Sequence, residues 1–77
     1  MTVKIYTTNH CPYCKMAKDY FKTKGVKYQE INVEEDQAAA EEMIEKSGQM
    51  GVPVIDIDGK IIVGFDKKAI EAALSKK

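Results

Sequence analysis

An α/β domain is what this sequence predicts, with a four-stranded mixed sheet flanked by three helices in the order β-α-β-α-β-β-α. Three observations predict it. Short β-branched and aromatic runs alternate with segments of helical apolar periodicity, the pattern of strands joined through crossover helices. Asp58-Gly59 between two apolar runs is a strong signal for a two-residue hairpin. A final segment carries one apolar stripe at helical spacing. At 77 residues the chain is short enough to read as a single domain over 1–77.

Each element follows from its residues. Val3-Lys-Ile-Tyr-Thr7 is β-branched and aromatic, hence a strand. Pro12 stands at a first helical position and opens a helix to about Lys24, with Ala17, Tyr20 and Phe21 on one face and Gly25 as its stop. Lys27 to Val33 reads as the second strand. Glu34 to Ser47 reads as a helix with Ala39, Met43 and Ile44 inward and Gly48 as its terminator. Val52 to Ile57 and Lys60 to Val63 form the hairpin. Asp66 then caps a helix whose inner stripe is Ala69, Ile70, Ala73 and Leu74. The first two strands, joined through a helix, run parallel with a right-handed crossover, and the hairpin makes one later strand antiparallel. No repeat, linker or low-complexity tract interrupts the pattern.

Composition narrows the function. Hydrophobic residues at 44% and charged residues at 31% are a globular balance, against wholesale disorder. A net charge of zero removes most of the case for nucleic-acid binding. No apolar run approaches the roughly 18 residues that span a bilayer, and the first ten residues lack a secretory apolar region. The expectation is a monomer of the reducing cytoplasm without nucleic-acid or membrane partners. The zero hides a segregation. Residues 1–28 carry six lysines against Asp19 alone, and residues 29–58 carry nine acids against Lys46 alone. The acidic stretch reads as solvated helix and loop faces. The basic stretch contains the only cysteines.

Cys11-Pro12-Tyr13-Cys14 falls where a strand ends and a helix begins, a spacing that sets both sulfurs at one helix N-terminus and reads as a redox pair. Cys11 is the exposed cap residue, facing free backbone N–H groups and the positive end of the helix dipole. Cys14 lies almost one turn inside. Those environments assign Cys11 as the attacking thiol and Cys14 as the resolving one. First helical turns usually attract acids, yet this one carries Lys15 and Lys18. Such cations oppose the dipole but favour a neighbouring thiolate, so Lys15 is expected to tune Cys11 to a depressed pKa. Lowering a thiol from about 8.5 to about 5.5 raises its ionised fraction some thirtyfold at neutral pH. Intrinsic nucleophilicity falls by about 16- to 32-fold, so the two effects nearly cancel for attack.

Other readings of the pair are weaker. A structural disulfide over so short a loop stabilises by only about 2 kcal/mol. Zinc needs four ligands, and Cys11, Cys14 and the single His10 are the only soft candidates. His10 reads as an exposed loop residue.

The motif and element order resemble the glutaredoxin family over nearly the whole chain. Cys11-Pro12-Tyr13-Cys14 matches the dithiol motif, and the resemblance implies a minimal thioredoxin fold and disulfide oxidoreductase activity without a tightly bound cofactor. Val52-Pro53 matches the Val-Pro that begins the third strand in that family, where the proline is cis. It implies that Pro53 packs against Cys11, that the Val52 backbone pairs with the substrate main chain as an added strand, and that Pro12 and Tyr13 line the groove. Gly64-Phe65-Asp66 falls in the region that holds the γ-glutamyl end of glutathione. Here it departs from the family, with Phe65 in place of a second glycine, Asp66 one place early, and Thr8 where the family carries a basic residue. Gly64-Phe65 instead resembles the glutaredoxin-like redoxins that reduce ribonucleotide reductase and are themselves reduced by a flavoprotein reductase, although those usually lack Pro-Tyr between the cysteines. Phe65 equally reads as a core plug at the helix start. The reductant is therefore glutathione or a flavoprotein reductase, and the partner a disulfide-containing protein, with ribonucleotide reductase one such target. The competing reading is a metal or iron–sulfur carrier using Cys11 and Cys14.

Overall fold

A computed structural model describes residues 2–75; Met1, Lys76 and Lys77 lie outside them. The first strand, β1 (Val3–Thr7), is central because its alternation buries both faces: Val3 and Ile5 point one way and Tyr6 the other. Helix α1 (Pro12–Thr23) begins with Pro12 in its first turn and ends as the chain enters Gly25 at φ 71°. Strand β2 (Gln29–Asn32) is shorter than the expected Lys27–Val33. It pairs only against Lys4 to Thr7, and Val33 adds one further bond, its N–H donating to the Thr7 carbonyl at 2.8 Å.

Helix α2 (Gln37–Ser47) starts three residues later than the expected Glu34. Asn32 explains the delay. Its Oδ1 accepts the Glu34 N–H at 2.9 Å, and its carbonyl accepts the Asp36 N–H at 3.2 Å. That makes a turn of Val33–Glu35 before Asp36, extended at φ −129°, caps the helix through the Ala39 N–H. Gly48 at φ 74° ends it, as expected. Strand β3 (Val54–Ile57) excludes Val52 and Pro53 from the ladder, since proline has no N–H to pair; the Val52–Pro53 peptide is cis. The hairpin to β4 (Lys60–Val63) turns through Asp58 and Gly59, both at positive φ. Asp66 caps α3 (Lys67–Ser75), accepting the Ala69 N–H at 3.2 Å.

The strand order is β2-β1-β3-β4, with β1 parallel to β2 and β3 antiparallel to both neighbours. One face packs under α1 and α3 through Ile5, Phe21, Ile55, Ile62 and Ile70. Tyr6, Met43 and Val54 form the smaller core under α2. Ile44, expected inward, is instead 37% exposed: α2 meets the sheet along the line of Met43, and the next residue is turned about 100° off that line. Beside Met43 a polar cluster fastens α2. The Tyr6 hydroxyl, buried in the sheet, donates to Glu42 at 2.5 Å, and the Lys46 ammonium donates to Tyr6 at 3.2 Å and to Asp56 at 2.9 Å. Burial, then the Glu42 carboxylate, pushes the Tyr6 hydroxyl above the usual phenol range. Two of the acids expected on solvated faces are therefore structural.

Candidate active site

Strand directions gather four connections at one end of the sheet: Thr8–Cys11, Val33–Asp36, Gly48–Pro53 and Gly64–Asp66. Cys11 is the N-cap of α1, extended at φ −138°, and its Sγ accepts the Cys14 N–H at 3.1 Å. This is the contact an oxygen makes in an ordinary N-cap, made here by sulfur. Cys11 is half-buried and Cys14 only 2% exposed. The two are joined as a disulfide across a Cα separation of 5.2 Å. The first turn holds no acid, so the helix dipole and the Cys14 N–H both favour a sulfur anion at Cys11.

The loop before Cys11 is anchored by residues the sequence reading passed over. The Asn9 N–H and side-chain amide donate to the two carboxylate oxygens of Glu34 at 3.0 and 3.1 Å, and Asn32 donates to Asn9 Oδ1 at 2.6 Å. The β2–α2 turn thus fixes the approach to the cysteine. Nothing in the spacing of these three residues announces the cluster, because it forms across two connections.

A groove of about 660 Å³ runs beside the pair, walled by Thr8, Asn9, His10, Cys11, Pro12, Cys14, Lys15, Lys18, Asp19 and Lys22. Lys18 also bonds Glu30 at 2.9 Å, where Thr7 donates a second bond at 3.0 Å. The Lys18 ammonium, with Thr7, holds the Glu30 carboxyl below the usual carboxylate range. Of the expected site residues, Cys11, Pro12, Cys14 and Lys15 share this groove. Tyr13 stands outside it, 62% exposed.

The remaining expected residues meet one another at the same sheet end. The Gly64 N–H donates to the Pro53 carbonyl at 2.8 Å. Val52 turns its side chain onto the α2-side core, while its own N–H and carbonyl make no hydrogen bond among the described residues. Phe65 packs against the main core, its ring edge-on to Tyr20 at 5.9 Å. Its side chain is thus the plug at the helix start, and Gly64 reaches φ 80° just before it. Among the described residues no three His, Cys, Asp or Glu side chains stand close enough to hold a metal ion together.

A four-stranded mixed sheet with three helices and a Cys-x-x-Cys pair capping the first of them defines a dithiol redoxin of thioredoxin-like fold. The comparisons agree. The Glutaredoxin family model matches residues 3–62. A glutaredoxin-like 8.6 kDa protein of the rubredoxin operon of Clostridium pasteurianum is 49% identical over 96% of this chain and 99% of its own. Glutaredoxin 3 of Escherichia coli is 47% identical over 83% of this chain and 77% of its own. Among solved structures, a thioredoxin-like protein superposes with a TM-score of 0.88 at 28% identity, over 94% of this chain and 99% of that one. NrdH-redoxin of Escherichia coli, a glutaredoxin-like protein described as having a thioredoxin-like activity profile, does so at 0.84 and 29%, over 94% and 93%. The chain belongs to the glutaredoxin family, whose members are thiol-disulfide oxidoreductases and typically carry no tightly bound cofactor.

Proposed function

We propose that this single-domain protein reduces protein or small-molecule disulfides by a dithiol mechanism, as a monomer of the cytoplasm. One observation carries the reading: the half-buried Cys11 sulfur accepts a helix N–H at 3.1 Å while its partner Cys14 is buried. Cys11 enters as thiolate and attacks one sulfur of the substrate disulfide. A Cys11–substrate disulfide forms, the substrate S–S bond breaks, and the departing thiolate takes a proton from water. Cys14 then attacks Cys11, closing the protein disulfide and releasing the second substrate thiol. Two electrons pass from the pair to the substrate. Lys15 and the helix dipole favour the Cys11 thiolate, the form that makes the first attack. A thiol titration should place Cys11 below the usual thiol range, and a value above about 8 would refute this tuning.

Substrate binding draws on the same sheet end. The unpaired N–H and carbonyl of Val52 suit an extended main chain added beside it. Pro53 supports that edge, and Pro12 with the exposed Tyr13 flank it. With the Gly64 N–H held by Pro53, Phe65 and Asp66 offer backbone N–H groups and a helix N-terminus to a carboxylate.

Reset comes from two glutathione thiols or from a flavoprotein reductase. Pro12-Tyr13 favours the first; the inward Phe65 and the likeness to NrdH-redoxin favour the second, with ribonucleotide reductase as the target to assay. NADPH-coupled turnover with glutathione and its reductase, run against a thioredoxin-reductase-type enzyme, decides between them. Turnover with neither refutes the oxidoreductase reading. Visible absorbance and metal analysis of fresh protein test the competing carrier role, which predicts stoichiometric iron or zinc.

A further inference from the structure

Between the end of α2 and Val52 the chain closes on the side chain of Gln49. Its Oε1 accepts the Gly51 N–H at 2.5 Å and its Nε2 donates to the Gly51 carbonyl at 3.0 Å. One amide therefore satisfies both backbone groups of one residue, a task that needs a donor and an acceptor on the same planar group. Gln49 is itself tied to the helix. Its N–H donates to the Ser47 hydroxyl at 3.4 Å, and that hydroxyl donates to the carbonyl of Met43 at 2.7 Å. Met43 is 2% exposed in the core under α2. A chain of bonds thus runs from the core to the residue preceding Val52.

Gly51 belongs to this device. Unlike the four glycines at positive φ, it lies outside the left-handed region, so backbone conformation does not require glycine there. What a side chain there would disturb is the amide: a Cβ on Gly51 would lie 2.6 Å from Gln49 Oε1, so the amide must move aside. With Gly51 saturated by Gln49, Val52 follows with both of its backbone groups free among the described residues, as are those of Met50 before it.

We propose that Gln49 is a positioning residue, whose clamp on Gly51 holds the free N–H and carbonyl of Val52 ready for the main chain of a peptide disulfide. The proposal rests on the reading of Val52 as the substrate-pairing residue. It selects a substrate class: disulfides flanked by peptide backbone gain from the clamp, and small disulfides without a backbone do not. Without it the turn must be ordered at each binding event.

The test compares Gln49→Ala, Gln49→Glu and Gly51→Ala on two probes, the disulfide of a cysteine-containing hexapeptide and hydroxyethyl disulfide. Gln49→Ala should raise KM for the peptide about tenfold, from two lost hydrogen bonds and a freed turn. Its kcat and its KM for hydroxyethyl disulfide should stay within about twofold. Gln49→Glu keeps the acceptor and loses the donor, so it should fall between. Gly51→Ala displaces the amide and should reproduce Gln49→Ala, with no added effect when the two are combined. Parallel changes on both probes, no change on the peptide, or additive effects would each overturn the proposal. Amide exchange reads the clamp independently of turnover. The Gly51 N–H should be protected in the parent and fast in Gln49→Ala; fast exchange in the parent also overturns it. Turnover surviving Cys11→Ser would instead refute the redox reading, leaving the exchange result to judge the clamp.

Discussion

Removing the Lys46 ammonium should cost far more than removing the Asp56 charge it pairs with. Lys46→Met leaves a carboxylate that is 11% exposed, with its partner at 2.9 Å gone and only the Gly59 N–H at 2.8 Å still bonded to it. Deleting one member of a fully buried pair costs about 3–5 kcal/mol; because the Lys46 side chain is 30% exposed, so that the pair is not dry, about 2–3 kcal/mol is expected. Asp56→Asn behaves differently. The lysine it frees reaches water and Glu42, 3.8 Å away, and the amide oxygen can keep the Gly59 bond, so about 1 kcal/mol is expected. Against a stability of about 4–12 kcal/mol for a chain of this length, the first loss is severe and the second is not. Urea unfolding followed by circular dichroism reads both: with a slope of about 1 kcal/mol per molar, the midpoint falls by about 2–3 M in Lys46→Met and by about 1 M in Asp56→Asn. Equal losses, or a Lys46→Met loss below about 0.5 kcal/mol, would show that the cluster does not fasten α2 as described.

Two further outcomes follow from the packing around the site. Lys18 favours the ionised Glu30 in the folded state, so Glu30 adds stability above its ordinary value of 4.5 and loses it as pH falls below that value through the lowered folded pKa. Glu30→Gln should flatten the fall in urea midpoint over that acidic window, and an unchanged slope would contradict the Lys18 contact. Phe65→Ala removes a half-buried ring edge-on to Tyr20 and should cost about 2–3 kcal/mol; a loss below about 0.5 kcal/mol would mean that the ring does not plug the core.

What could be read in the sequence was whatever rests on neighbours along the chain. Pro12 and Gly25 bound one helix, Asp58-Gly59 one hairpin, and Asp66 one cap, and each stands where local chemistry puts it. The errors came where a partner from elsewhere decides. Glu34 and Glu35 follow Asn32 into a turn, and Asp36 caps the helix they were expected to open. Ile44 has helical spacing for burial, but the sheet beneath offers a seam only to Met43. Glu42 and Asp56 looked like solvated acids because Tyr6 and Lys46, which hold them, sit in other elements. At the site, the placement of Cys11 as a helix cap and of Cys14 one turn inside was legible from the Cys-x-x-Cys spacing at a helix start. The Asn9–Glu34 anchor and the Gln49 clamp were not, since short polar loops carry no periodicity to mark them.

The division of labour between the two sulfurs is the central claim, and mass spectrometry of trapped intermediates tests it most directly. Cys14→Ser, reduced and mixed with an excess of a peptide disulfide, should accumulate one covalent adduct, mapped to Cys11, because nothing remains to resolve it. Cys11→Ser should form no adduct and show no turnover. An adduct on Cys14 in the parent sequence, or full turnover by Cys11→Ser, would contradict the account.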